Sequence, residues 1–133
     1  MNNPTRKASI RLKKLYSLLG GEALLGQILD DFYQRMARDL MIGYFFDGKD
    51  LQKIASQQKN FLLYAMGAVE QYPGKLPSQA HRELPPILPG HFDRRIRILE
   101  ETLKDHALSS EAMDIWIHFE SSFRSALTQA EGK

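Results

Sequence analysis

The chain contains no cysteine, so disulfides, iron–sulfur clusters and thiol nucleophiles are excluded. It also has little net charge, since 18 basic and 16 acidic residues leave a formal charge of +2, too small to indicate nucleic-acid binding. No apolar run approaches the ~20 residues that a membrane span requires. Phosphate-binding glycine loops, Gly-x-Ser-x-Gly and i,i+4 histidine pairs are missing as well. We therefore find no support for ordinary hydrolase or nucleotide chemistry, and we expect a cytoplasmic protein.

The 133 residues fit a single domain. Residues 1–14 carry five basic side chains, namely Arg6, Lys7, Arg11, Lys13 and Lys14. We interpret this stretch as a basic extension that is partly disordered or forms the start of the first helix. The alternative is a tail that contacts nucleic acid or anionic lipid. Residues 15–130 then form the folded domain.

Apolar residues recur at helical spacing between glycine and proline positions, and no stretch alternates with period two. The spacing predicts helices over about 10–19, 22–38, 51–66, 91–106 and 109–127. Residues 41–50 are short, aromatic and bounded by glycines, so we predict a turn or one helical turn there. Residues 68–79 are rich in helix breakers and predict an irregular connection. The class is all-α, with four substantial helices and a short N-terminal one.

Two polar residues interrupt apolar helix faces. Gln58 lies one helical turn after Ile54 and one before Leu62, which puts its amide on a buried face. Tyr33 lies at the edge of the apolar stripe of the second helix. A buried amide without hydrogen bonds costs about 1–3 kcal/mol. Both groups therefore need a partner, which could be each other, a backbone carbonyl, a water or a ligand.

The stretch AHRELPPILPGHF, residues 80–92, holds two of the four histidines. His91 directly follows Pro-Gly and is typical of a capping or first-turn residue. His81 follows the breaker-rich connection and suits a surface position, a cap or a ligand. His106 falls in the last turn of its helix, where a cation suits the helix dipole, and His118 is expected in solvent. Local spacing alone does not separate a binding histidine from a structural one.

In order and spacing, residues 15–128 resemble the truncated haemoglobins, the 2-on-2 branch of the globins. The resemblance rests on these matches: Leu15-Tyr16, Gly20-Gly21, Phe32-Tyr33, Phe46, Gln58, Phe61-Leu62, Tyr72, Gly74, Ala80-His81 and His91-Phe92-Asp93. It implies an all-α, globin-like 2-on-2 helical sandwich that holds haem b. It also implies that His81 is the proximal iron ligand, whereas His91 only begins the next helix.

The resemblance further assigns the walls of the haem pocket. Phe46 would pack on the porphyrin, and Phe61 and Tyr72 would also contact the cofactor. Tyr33, Gln58 and Ile54 would line the distal side, where Ile54 stands in the position of another globin's distal histidine and leaves the sixth coordination position open. Donors there stabilise bound O₂, at about 1–1.5 kcal/mol each. The implied function is reversible binding of O₂, and of NO and CO.

Three positions depart from the family pattern. The family's second Gly-Gly is Gly67-Ala68 here, and Arg-Glu-Leu-Pro-Pro after His81 is similar to the third group, whereas the distal set is similar to the first. Arg95 occupies a place where relatives carry an apolar residue or tryptophan against the haem. It would extend outward, pair with a haem propionate or lie solvated on the helix flank.

Two other functions stay open. The same haem pocket would serve an NO dioxygenase or a peroxidase-like enzyme, working with an unidentified reductase. Alternatively, Arg95 and the basic N-terminus suit a haem-free helical interaction module on a globin scaffold, because a fold does not determine a function. We expect a monomer or a homodimer.

Overall fold

A computed structural model describes residues 4–69 and 86–128, with side chains from residue 11 onward. Its helices are α1 (Pro4–Leu19), α2 (Glu22–Ala37), a 3₁₀ turn (Gly43–Phe46), α3 (Leu51–Ala65), α4 (Pro89–Asp105), α5 (Ser110–Ser121) and α6 (Arg124–Leu127). No strand occurs within these two ranges, and none of the helices described is long and apolar enough to cross a membrane. The prediction of an all-α protein is confirmed, while the rest of the predicted connection, from residue 70, lies outside the described residues.

The helices α2 to α5 form two packed pairs. α2 packs on α3, α4 packs on α5, and contacts between α2 and α4 join the pairs. The core between them holds side chains from every long helix, the largest fully buried ones being Trp116, Phe32, Leu15, Leu25, Ile28, Leu29, Met36, Leu62, Met66, Leu99 and Leu103. The apolar stripe predicted for α2 is confirmed, and Tyr33 at its edge is buried as well.

Helix ends follow local chemistry. Gly20 and Gly21 separate α1 from α2 at φ values of 73° and 122°, which favour glycine. Asp50 caps α3 by accepting a hydrogen bond from the Lys53 N–H at 3.2 Å. Ser109 caps α5 in the same way, through the Ala112 N–H at 3.2 Å. These caps lie at the predicted helix starts.

Two predicted helix bounds were wrong. α1 begins at Pro4 instead of near residue 10 and is therefore not short. Proline is well accommodated in the first helical turn, because its missing N–H would have no partner there. The last helix is interrupted after Ser121. There the Ser122 hydroxyl donates to the Phe119 carbonyl at 2.6 Å, a local bond that competes with helix continuation.

Candidate functional site

Tyr33 and Phe46 come together at the end of α2. Tyr33 is 7% exposed, and its ring meets the half-buried Phe46 edge-on with centroids 6.0 Å apart. The ring of Phe32 also meets that of Tyr33, at a tilt of 55° and with centroids 5.4 Å apart. The 3₁₀ turn thus places Phe46 beside the tyrosine.

Gln58 and Ile54 lie one turn apart on α3, and both are half-buried. The Gln58 amide donates from Nε2 to Glu120 Oε1 on α5, at 3.2 Å. The sequence analysis predicted that this amide needs a hydrogen-bond partner, and that partner is a carboxylate on another helix. It is neither Tyr33 nor a backbone carbonyl.

Glu120 is the site residue that the sequence analysis did not single out. Its side chain is only 5% exposed, yet it carries a carboxylate. Besides Gln58, it accepts hydrogen bonds from Arg95 Nη1, at 2.7 Å, and from Trp116 Nε1, at 3.4 Å. The available signal was its place on the apolar stripe of α5, one turn after Trp116.

Arg95 points into the protein, since its side chain is 20% exposed and forms the salt bridge with Glu120. Its guanidinium also lies 5.1 Å from the centroid of the Phe32 ring. The side chain of Tyr33, the next residue in the sequence, interacts electrostatically with that guanidinium. Burial lowers the pKa of Arg95, but Glu120 and Tyr33 outweigh that effect and raise the pKa above the usual value for arginine. The interpretation of Arg95 as a solvated flank residue was wrong.

Arg95 and Glu120 thus connect the two predicted distal residues. Gln58 on α3 bonds to Glu120 on α5, and Tyr33 on α2 interacts electrostatically with Arg95 on α4. Because the guanidinium and the carboxylate bond to each other, one continuous network joins four helices. Within the described residues, no buried side-chain nitrogen or oxygen lacks a hydrogen bond.

Phe61 packs against two other aromatic rings. It stacks on Phe119 with centroids 6.1 Å apart and meets Phe123 edge-on at 5.9 Å. Its predicted contact with the cofactor stays a prediction. His81 and Tyr72 lie outside the described residues, so their predicted roles on the proximal side of the haem stay predictions. A surface groove of about 550 Å³ runs between the end of α2 and the start of α3, and no predicted site residue lines it.

The other three histidines lie at helix ends or in solvent. The Leu88 N–H donates to His91 Nδ1 at 3.0 Å, so His91 caps the start of α4 as predicted. His106 follows α4, where its Nε2 lies 2.9 Å from Asp31 Oδ2 on α2. His118 is exposed, as predicted.

Comparisons with known proteins identify the family of the chain. Residues 14–129 match the family model described as bacterial-like globin. The chain is 36% identical over 97 residues to the group 1 truncated hemoglobin GlbN of Synechocystis, covering 71% of this chain and 78% of that protein. It is 33% identical over 103 residues to a group 1 truncated hemoglobin of Chlamydomonas moewusii, covering 77% of this chain and 58% of that longer protein.

Solved structures give the same result. The 2/2 hemoglobin of Synechococcus sp. PCC 7002, a cyanomet form with covalently attached heme, superposes with a TM-score of 0.76 at 27% identity, over 85% of this chain and 96% of that one. The Fe(III) form of the truncated hemoglobin of Tetrahymena pyriformis superposes with a TM-score of 0.77 at 26% identity, over 86% and 97%. The predicted 2-on-2 architecture is therefore confirmed, and the chain belongs to the bacterial-like globins, a family of haem-binding proteins, with group I-like relatives.

Proposed function

We propose that this globin binds haem b through His81 and reversibly holds O₂, NO or CO on the opposite face, with Tyr33 and Gln58 as hydrogen-bond donors. One observation carries the distal part of the proposal. Tyr33 and Gln58 come from two different helices, yet both adjoin the same buried ion pair, Arg95–Glu120: Gln58 bonds to Glu120, and Tyr33 interacts electrostatically with Arg95. That shared pair is what would hold the two donors on one side of a ligand.

The residues present suit haem in their chemistry. Phe46 and Ile54 offer half-buried apolar surface of the kind that packs on a porphyrin, and Tyr33 and Gln58 add a few polar groups to it. When bound, haem supplies an iron with one coordination position for a histidine and one for a diatomic ligand. His81 would provide that imidazole, and Ile54 cannot coordinate iron from the distal side.

Each distal side chain carries a group that can donate to a ligand. Tyr33 has a phenolic O–H, and its side chain interacts electrostatically with Arg95. The Gln58 amide has two N–H groups, of which one is directed to Glu120. Bound O₂ carries partial negative charge, so each such donor would slow its release.

Replacement of His81 tests the haem ligand. We expect the wild-type chain supplied with haem to show a Soret band, and His81→Gly to lose it or shift it, because the proximal imidazole is gone. Added imidazole should restore the band in that variant. His118→Ala is the matched control, since His118 is exposed and should leave the spectrum unchanged. An unchanged Soret band in His81→Gly contradicts the assignment.

Removal of the distal donors tests the second half of the proposal. Tyr33→Phe and Gln58→Leu should each speed O₂ dissociation about 5- to 10-fold, which corresponds to one hydrogen bond of ~1–1.5 kcal/mol. Stopped-flow replacement of O₂ by CO measures this rate. Tyr44→Phe and Gln57→Leu are matched controls, because both wild-type side chains are exposed. Rates within twofold of wild type in both distal variants would exclude these residues as ligand donors.

A further inference from the structure

The charges of the chain are unevenly distributed, and α1 is its cationic part. This helix has no acidic residue, and its basic residues are Arg6, Lys7, Arg11, Lys13 and Lys14. The other 13 basic and all 16 acidic residues lie outside α1, so the rest of the chain has a formal charge of −3. The small net charge of the protein therefore combines one cationic helix with a weakly acidic remainder. The proposed haem site makes no use of that helix.

The rows of side chains along α1 differ in character. Its buried row, in which no residue is more than 6% exposed, consists of Leu12, Leu15 and Leu19. Arg11, Lys14 and Leu18 repeat the same spacing one position earlier, and all three are exposed. Lys13 is exposed as well. The described cations therefore lie on the solvent side of a helix whose apolar side is already packed in the core.

Exposed apolar side chains lie beside these cations. Leu18, in the exposed row of α1, is 41% exposed. The Lys13 side chain crosses the turn after α3, where its Cε lies only 2.9 Å from the place that a Cβ at Gly67 would take. α1 and the end of α3 thus form one continuous surface. Tyr64 and Val69 lie on either side of Gly67 in the sequence and are 43% and 41% exposed.

We propose that α1, together with the turn after α3, is a surface that binds anionic lipid membranes peripherally. Lysine and arginine side chains attract anionic headgroups, and each one near the membrane strengthens binding about fivefold. Exposed apolar side chains next to them pack at the boundary between headgroups and acyl chains. The leucine row of α1 stays in the core, so the fold does not open on binding. This surface is independent of the residues assigned to the haem.

The neighbours of α1 favour a membrane over a nucleic acid. The phosphates of a duplex also attract cations, but they offer no contact for exposed apolar side chains such as Leu18 and Val69. The acidic remainder of the chain is repelled by an anionic surface, which orients the molecule with α1 towards it. Glu111 on α5 pairs with Lys14, yet both side chains are at least half exposed, and such a pair is weak. Lys14 is therefore available to a headgroup.

Sedimentation of the haem-loaded full chain with lipid vesicles tests this surface. The pellet is assayed for protein and not for haem, because free haem could enter the lipid by itself. We expect binding to phosphatidylcholine vesicles that contain roughly one-third phosphatidylserine, and little binding to pure phosphatidylcholine. Salt screens exposed charges, so the binding should weaken strongly between about 0.05 and 0.5 M salt.

Two variants separate the contribution of the cations from that of the apolar side chain. Arg11→Gln combined with Lys13→Gln should weaken binding about 25-fold at low salt, or about fivefold for each charge removed, and should reduce the salt dependence. Leu18→Ser should weaken binding several-fold and leave the salt dependence unchanged. Arg97→Gln combined with Lys104→Gln is the matched control, because it removes the same charge from exposed positions of α4. Circular dichroism should show the same helix content in all variants.

Three results would overturn the inference. The first is no binding to phosphatidylserine vesicles, or equal binding to both lipid compositions. The second is equal binding by the α1 double variant and the α4 control, since the cations of α1 would then have no special role. The third is a short DNA duplex that binds more tightly than the vesicles and binds Leu18→Ser as well as wild type. That result would assign the surface to nucleic acid.

Discussion

At the scale of single residues, two adjacent arginines of α4 have acidic partners on different elements. Arg95 bonds to Glu120 on α5, whereas Arg94 bonds to Asp39, just after α2, through Nε at 2.9 Å and Nη2 at 2.6 Å. The other oxygen of Asp39 accepts the N–H groups of Met41 and Ile42, at 3.0 and 3.1 Å. Asp39 therefore fixes the turn that leads to Phe46 and ties that turn to α4.

Asp39 should make stability depend on acid pH. Arg94 and the two backbone N–H groups hold the pKa of Asp39 below its ordinary value of 3.8. A lowered pKa stabilises the fold above the unfolded-state value, and that contribution is lost as the pH falls through the folded-state pKa. Asp39→Asn should thus lower the free energy of unfolding by about 1 kcal/mol at pH 7, and the difference from wild type should shrink below about pH 4. Urea unfolding at several pH values measures it.

The exposed Asp47 gives the control for that measurement, since Asp47→Asn should change little at any pH. If the free energy of unfolding of Asp39→Asn is still about 1 kcal/mol below that of wild type at pH 3, the role of this side chain depends on its shape and not on its charge.

At the scale of helices, periodicity and breakers predicted α2, α3 and α4 to within about two residues, because these helices combine an apolar stripe with caps or glycines at their ends. The start of α1 was not predicted, since its first turns lack an apolar stripe. α1 packs on α5, where Lys14 pairs with Glu111, and such a contact between distant segments is invisible to local spacing.

The same distinction explains what was predicted of the site. Tyr33, Phe46 and Gln58 were identifiable because each breaks or matches a pattern within its own helix or turn. The roles of Arg95 and Glu120 were not predicted, because each side chain is the partner of the other, 25 residues away in the sequence. Arg95 occupied a place where an apolar residue was expected, and Glu120 was not singled out at all. Only the packing of α4 on α5 brings these two side chains together as a hydrogen-bonded ion pair.

At the scale of the whole molecule, the core and the proposed haem site adjoin each other. Trp116 and Phe32 are fully buried at the centre of the core, whereas Phe46, Ile54 and Gln58, which would face the cofactor, are half-buried. The apolar core therefore continues into the surface assigned to haem, since Tyr33 belongs to the core and Phe46 and Ile54 pack against it. A cofactor that packs on this continuation of the core would add to the stability of the fold.

Haem addition should consequently stabilise a chain that is already helical. A ligand that binds only the folded state adds about 2.7 kcal/mol at a hundredfold excess over its Kd. We expect thermal unfolding, followed by circular dichroism, to shift upward when haem is added, and His81→Gly to lose most of that shift because the iron ligand is gone. His118→Ala should keep the shift. A helical wild-type chain that stays colourless and gains no stability would favour the haem-free interaction module, since the same core would then serve a scaffold without a cofactor.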